Sequence, residues 1–97
     1  MARHANVVFA SGQLLQLTAT ALAADTKFTF QNRTGDILRV TATVDATPPD
    51  PVTGLWYSYR SGDGPVGETL AALFPGIAAT RLWAYAATAG TVEVSHA

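Results

Sequence analysis

The feature that most constrains the fold of this chain is a period of two in its apolar residues. The clearest case is ILRVTATVD, residues 37–45, in which Leu38, Val40, Ala42 and Val44 alternate with polar or charged residues. Because successive side chains of a β-strand point to opposite faces, this pattern predicts a strand with those four residues facing the core. A helix would instead place its apolar residues three and four positions apart.

The same alternation recurs in other short segments, and turn-forming residues separate them. The alternating sets are Leu15, Leu17, Ala19 and Ala21 on one side; Phe28 and Phe30 on one face; Leu82 and Ala84, which are separated from Trp83 and Tyr85; and Val92 and Val94, which face inward. Short strands with turns about every ten residues predict an all-β fold, an antiparallel β-sandwich of jelly-roll-like type. The length of 97 residues fits one domain, residues 1–97, with an N-terminal arm of about residues 1–10. The predicted core includes Phe28, Phe30, Leu38, Val40 and Val44.

Two segments depart from the alternation. ETLAALFPG gives Leu70, Leu73 and Phe74 the spacing of a helix, and Pro75 with Gly76 stops it. We therefore predict one short helical segment near residues 68–74 that closes one end of the sandwich. Residues 46–54, ATPPDPVTG, are rich in proline, which cannot donate to a strand ladder, so we predict a loop there.

The stretch SGDGPVG contains the spacing G-x-G-x-x-G at Gly62, Gly64 and Gly67, between a strand-like run and the helical segment. A dinucleotide site needs a full helix at this point and a carboxylate about 20 residues later. Here the helical run ends at Pro75, and LWAYAATAG, in the expected position of that carboxylate, contains no acid. We interpret the stretch as a turn whose glycines take positive φ, and we expect no cofactor.

Composition excludes several classes of partner. Only 13% of the residues are charged and the net charge is −1, so no basic patch is available for nucleic acid. No apolar run approaches the roughly 20 residues that span a membrane. The chain has no cysteine, which excludes disulfides, thiolate metal sites and thiol catalysis.

Side chains that could bind a metal are sparse. His4 and His96 lie near opposite termini, so they could share a metal only if the termini meet. Asp45, Asp50 and Asp63 lie in or beside predicted loops, without the dense alternation of a calcium loop. The sequence predicts no metal site.

Neither glycosylation nor catalysis is indicated. The sequence NRT, residues 32–34, spells a glycosylation sequon, which we interpret as a turn. No G-x-S-x-G element is present, and the spacing supports no Ser/His/Asp set. We expect a protein without enzymatic activity.

The aromatic residues carry more information. Trp56, Tyr57, Tyr59, Trp83 and Tyr85 come from two strand-like runs in which neighbours alternate between faces. One set must therefore point into the core, and the other set faces outward, where rings favour an interface or a sugar-stacking platform. The sequence does not decide which set is which.

The chain resembles small virion structural proteins of tailed bacteriophages, and among them the capsid decoration, or cement, proteins. The resemblance lies in GQLLQLTATALAADTKFTFQNRTGDILRVTATVDATPP, residues 12–49, in the glycine-rich loop, and in RLWAYAATAGTVEVSHA, residues 81–97. It implies a virion protein without enzymatic activity that binds the outer capsid surface, formed by the major capsid protein. It also implies a homo-oligomer, commonly a trimer at three-fold positions.

A thin, alanine-rich core and few charges agree with a chain that is covered by partners. We expect residues 2–9 to lie against another chain and the loop of residues 47–54 to reach toward one. The candidate interface residues are Arg3, His4, Val7, Val8, Phe9, Pro48, Pro49, Trp56 and Trp83. The alternatives are a receptor- or carbohydrate-binding tip domain and a head–tail or tail accessory protein.

Overall fold

The computed structural model describes residues 2–23, 25–50 and 56–97. These residues form seven strands and one helical turn. In chain order they are β1 (Arg3–Phe9), β2 (Gln13–Gln16), β3 (Phe28–Asn32), β4 (Leu38–Thr43), β5 (Tyr57–Tyr59), α1 (Leu70–Leu73), β6 (Arg81–Ala86) and β7 (Gly90–His96).

The strands form two antiparallel sheets, and the predicted all-β sandwich is confirmed. Sheet A has the order β1-β7-β3, and sheet B has the order β2-β6-β4-β5. Each sheet buries one face, because alternate residues of the central strands are apolar: β7 alternates buried and exposed positions from Val92 onward. The two buried faces meet in one hydrophobic core.

The core contains four of the five predicted residues. Phe28, Phe30, Leu38 and Val40 are each at most 2% exposed, whereas Val44 is 55% exposed. Val44 breaks the pattern because β4 ends at Thr43. The chain then turns: the Thr43 hydroxyl donates to the carbonyl of Asp45, and the Asp45 carboxylate accepts from the Thr47 amide.

The predicted N-terminal arm is wrong, because residues 3–9 are a strand of the chain's own sheet. β1 pairs with β7 over its whole length, from Arg3 opposite His96 to Phe9 opposite Gly90. Phe9 belongs to the core and Val7 packs against it. The signal was present, since Ala5, Val7 and Phe9 alternate with His4 and Asn6, but Val8 interrupts it.

The alternation predicted from Leu15 to Ala21 ends early. β2 ends at Gln16, and Leu17 is fully buried, whereas Ala21 is exposed. Beyond β2 the chain crosses from sheet B toward sheet A, and the Ala19 amide donates to Nε2 of His96 on β7. This connection takes Ala19 and Ala21 out of any strand.

The helical segment is confirmed but shorter than predicted. It spans Leu70–Leu73, and the hydroxyl of Thr69 caps it by accepting from the Ala72 amide at 3.1 Å. Leu70 and Phe74 lie in the core. The sequence LWYSYR yields only the three-residue strand β5, and Leu55 lies outside the described residues.

Candidate interaction surface

The glycine-rich stretch covers the free edge of β3. The amides of Gly62 and Glu68 donate to the carbonyls of Asn32 and Phe28, at 2.6 and 3.0 Å. In return, Phe28, Phe30 and Asn32 donate to the carbonyls of Glu68, Pro65 and Asp63. The stretch therefore acts as an irregular extra strand of sheet A.

The geometry of the glycines explains why they are needed. Gly62 and Gly67 have φ of 90° and 63°, which confirms the predicted positive φ at these two positions, whereas the prediction is wrong for Gly64, whose φ is not positive. At Gly64 a Cβ would overlap with the carbonyl oxygen of Phe30, because the two backbones approach so closely. The Gly67 amide donates to the hydroxyl of Thr29. These amides hold the loop to β3 and are not directed at a ligand.

The histidines lie near each other but face apart. Because β1 and β7 pair, the termini do meet, and Arg3 lies opposite His96. His4 is exposed on the outer face of sheet A, whereas His96 is 6% exposed. In His96, Nε2 accepts from Ala19 and Nδ1 lies 2.9 Å from the carbonyl oxygen of Ala97. Among the described residues no three His, Cys, Asp or Glu side chains are grouped to bind a metal.

The candidate calcium ligands remain turn residues. Asp45 is exposed, and its hydrogen bonds with the backbone and side chain of Thr47 lower its pKa below the ordinary value. Asp50 and Asp63 are also exposed, on separate loops. The arrangement makes Asp45 a local turn cap.

The sequon residue Asn32 is part of a buried polar network. Asn32 is fully buried, and its Nδ2 donates to the carbonyls of Asp36 and Tyr59, at 2.8 and 2.9 Å. Its Oδ1 accepts from both the amide and the hydroxyl of Thr34. A glycan would have to attach to Nδ2, which the fold uses for two hydrogen bonds. Asn32 itself is the last residue of β3 and the chain bends at residues 34–36, so the turn interpretation is wrong for Asn32 and holds only for the end of the sequon.

The aromatic rings divide between the two faces of sheet B. Tyr59 packs edge-on against Phe30 with ring centres 5.1 Å apart, and Tyr57 lies 5.2 Å from Phe74, so both face the core side. Trp83 and Tyr85 lie on the outer face, because they alternate with the core residues Leu82 and Ala84.

The outward-facing tryptophans do not offer free ring surfaces. Trp83 is only 8% exposed, and its indole N–H donates to the Thr43 hydroxyl at 2.8 Å. Trp56 is half-buried, and the guanidinium of Arg39 lies over its ring at 5.2 Å.

The predicted interface residues are therefore not equally accessible. Phe9 and Trp83 are buried in the single chain, so their side chains offer little surface to a partner, and their assignment to an interface stays a prediction. Arg3 and Val7 are half-buried, and Arg3 donates to the carbonyl of Leu17. The exposed candidates are His4, Val8 and Pro48, while Pro49 and Trp56 are half-buried. Of the loop expected to reach a partner, residues 51–54 lie outside the described residues.

The most open feature of the described surface is the outer edge of β1. In the sheet order β1 has β7 on one side and no strand on the other. Val8 is 69% exposed, and Ala5 and Asn6 are also exposed. A long apolar edge with unpaired backbone groups is a site where another strand can add.

Comparison with known proteins identifies no relative. No protein-family model matches the chain, and neither the curated proteins nor the solved structures contain a significant match. Within the described residues, no helix has the length and apolar character needed to cross a membrane.

Proposed function

We propose that this chain is a structural protein of a phage virion, without enzymatic activity, that binds the outer surface of the capsid as a decoration protein. Its partners in this proposal are the major capsid protein and further copies of itself. The observation that carries the proposal is the open edge strand β1, where Val8 is 69% exposed, because an open edge is a surface that association can complete.

The remaining surface supports association as well. In the part of the chain that the structure describes, six large apolar side chains are exposed: Val8, Ile37, Val44, Tyr57, Val66 and Ile77. Only 13% of all residues are charged, so covering this surface desolvates few ionic groups. A protein of this kind gains stability when partners bury part of its surface.

The proposal includes a trimer because the chain resembles decoration proteins, which are commonly trimers. A trimer at a three-fold position would place three copies of the same surface around a capsid axis. The alternative of a carbohydrate-binding tip domain has less support, because Trp83 is buried and Arg39 covers one face of Trp56. A head–tail or tail accessory protein would share the composition and differ in copy number.

The proposal is tested on particles of the phage that encodes the chain. Purified protein is added to particles from which its gene has been deleted, and bound copies are counted after sedimentation. We expect saturation at a copy number that matches the capsid lattice, and bound particles that resist heat better than bare ones. Binding of only a few copies per particle would instead favour a head–tail or tail position, and no binding would overturn the proposal.

A further inference from the structure

β1 is the only long open edge among the described residues. The free edge of β3 is covered by residues 62–68, which exchange backbone hydrogen bonds with it. The edge strands of sheet B are short, with four residues in β2 and three in β5, whereas β1 has seven. Any strand that adds to this sandwich therefore has its longest template at β1.

Beyond its first residue, β1 also lacks the devices by which proteins protect an open edge. Such edges are usually blocked by proline, by lysine or inward-pointing charges, or by a bulge. The sequence RHANVVF contains no proline, lysine or acid, and its register with β7 is continuous from Arg3 to Phe9. Its single fixed charge, on Arg3, lies at the first position and is turned inward to the carbonyl of Leu17. Among the described residues, no strand pairs with the middle of this edge.

We propose that β1 pairs with β1 of a second copy, antiparallel and about a two-fold axis at Asn6. This inference rests on the self-association in the proposed function and names the surface that provides it. In this register Ala5 lies opposite Val7 of the second copy, and His4 lies opposite Val8. The register keeps inward residues opposite inward residues, as an antiparallel pair requires.

The chemistry of the strand favours this self-pairing. On either side of the axis, where Asn6 meets Asn6, a smaller or polar residue meets a larger apolar one: Ala5 meets the half-buried Val7, and the imidazole of His4 covers Val8, which is 69% exposed in the single chain. The two Arg3 residues lie at opposite ends, so no fixed like charges face each other. The two A sheets become one continuous six-stranded sheet, β3-β7-β1-β1-β7-β3.

The contact is small and therefore weak when it acts alone. A pair of seven-residue strands buries less than the roughly 1,600 Å² of a standard stable interface. On a capsid, however, neighbouring copies are held close together, and a weak contact is strengthened by the high local concentration. A two-fold contact of this kind would link copies that belong to neighbouring trimers.

A charge introduced at Asn6 tests the axis directly. Asn6 is exposed on the outer face, so Asn6→Lys and Asn6→Glu leave the core intact. The two-fold axis would place two like charges directly opposite each other, and each variant should self-associate roughly tenfold more weakly than the wild type. An equimolar mixture should recover association, because the lysine of one variant then faces the glutamate of the other. Ser58→Lys, at an exposed position on the edge strand of sheet B, is the matched control and should associate like the wild type.

Sedimentation over a wide concentration range measures these associations. The inference is overturned if the wild type stays monomeric at the highest concentration, if the mixture does not recover association, or if Ser58→Lys weakens it equally. Because the carboxylate introduced by Asn6→Glu would lie beside Glu93 of the same chain, thermal unfolding of each variant checks that the fold is retained. A loss of fold would move the test to the cysteine variant.

A cysteine in place of Asn6 gives the second measurement. The chain has no cysteine, so Asn6→Cys introduces a single thiol. Directly opposite residues of an antiparallel pair have Cα atoms roughly 4.5–5.5 Å apart, within the range that a disulfide spans. Mild oxidation should give a covalent dimer from Asn6→Cys and little from Ser58→Cys, and equal yields would contradict the inference. Particle binding is measured separately: an Asn6→Cys variant that binds particles but forms no covalent dimer would refute the edge pairing and leave the capsid proposal intact.

Discussion

Val40 and Val44 have the same side chain and fall on the same face of the predicted strand, yet the structure separates them. Val40 is 1% exposed and Val44 is 55% exposed. Val40→Ala removes two buried methyl groups, so we expect the free energy of unfolding to fall by about 1–3 kcal/mol. Val44→Ala is the control and should change it by less than about 0.5 kcal/mol. Urea denaturation of both variants measures the difference, and equal effects would contradict the assigned end of β4.

Asn32 is a buried polar residue whose side chain takes part in several hydrogen bonds. Asn32→Ala would leave the Thr34 amide without its acceptor and would remove one donor from each of the carbonyls of Asp36 and Tyr59, although Asp36 keeps the Thr34 hydroxyl as a donor. Unsatisfied buried groups are costly, so we expect a loss of about 2–4 kcal/mol in the free energy of unfolding. Arg33→Ala is the control: it removes only an exposed ion pair with Glu93 at 3.8 Å and should cost less than about 1 kcal/mol. A loss no greater in Asn32→Ala than in Arg33→Ala would refute this role.

Tyr59 should make the fold sensitive to alkali. Burial raises the pKa of its phenol above the ordinary value of 10.0, and Tyr57 and Glu68 raise it further. A folded-state pKa above the unfolded one favours the neutral phenol in the native state. Its stabilising contribution is therefore complete below pH 10.0 and is lost as the pH rises through the folded pKa.

The variant Tyr59→Phe tests this dependence. It keeps the ring that packs against Phe30 and removes the ionisable hydroxyl. We expect its free energy of unfolding to fall less steeply than that of the wild type above about pH 10. Denaturation curves at a series of pH values make the comparison, and parallel pH profiles would show that Tyr59 is not responsible.

At the scale of elements, the attachment of the glycine-rich stretch to β3 is the contact most easily broken by one substitution. A Cβ at position 64 would meet the backbone of Phe30 and Gln31, which cannot rotate away as a side chain would. We expect Gly64→Ala to lower the free energy of unfolding by about 1–3 kcal/mol. The amides of Phe30 and Asn32, which donate to this stretch, should exchange faster with solvent.

Gly35→Ala is the matched control for that substitution. A Cβ at Gly35 would meet no atom within 4 Å, and its φ is not positive. It should change stability by at most about 0.5 kcal/mol. If both alanine variants behave alike, the stretch does not depend on the close approach at Gly64.

The sequence predicted the strands with clean alternation and missed the features that depend on distant partners. The alternation in β3, β4 and β7 predicted their buried faces because period-two burial is a local property. It could not show that Thr43 and Asp45 end β4, or that the Ala19 amide would bond to His96 from the other end of the chain. The glycine spacing predicted a turn, but the backbone of Phe30, against which Gly64 packs, lies far away in sequence.

The candidate surface, too, could be predicted only in part from the sequence. Apolar composition and low charge predicted that part of the surface is covered, which remains a prediction. The sequence assigned Phe9 and Trp83 to that surface, but burial is decided by neighbours: Phe9 lies in the sandwich core, and Trp83 bonds to Thr43 on the next strand. The open edge of β1 became visible only from the order of strands in sheet A.

At the scale of the whole molecule, residues 3–9 belong to the sandwich, so removing them should not leave an intact fold. A free arm could be deleted without cost to the domain. Deletion of residues 2–8 instead removes nearly all of β1 and leaves β7, with the core residues Val92 and Val94, as an edge strand. It also removes Val7 from the core boundary and the hydrogen bond from Arg3 to Leu17.

We expect this truncation to cost a large part of the total stability, which for a domain of this size is about 5–10 kcal/mol. The melting temperature should fall steeply or the transition should lose its cooperativity, as followed by circular dichroism and by the dispersion of amide resonances.

The double variant His4→Ala, Val8→Thr is the control, because it changes two exposed side chains of β1 and leaves its backbone paired with β7. It should melt within a few degrees of the wild type. A truncated chain that melts like the wild type would show that β1 is dispensable to the fold. In that case any effect of the deletion on self-association or on particle binding could be read as a direct contact, whereas an unfolded truncation leaves substitutions at Asn6 as the test of this edge.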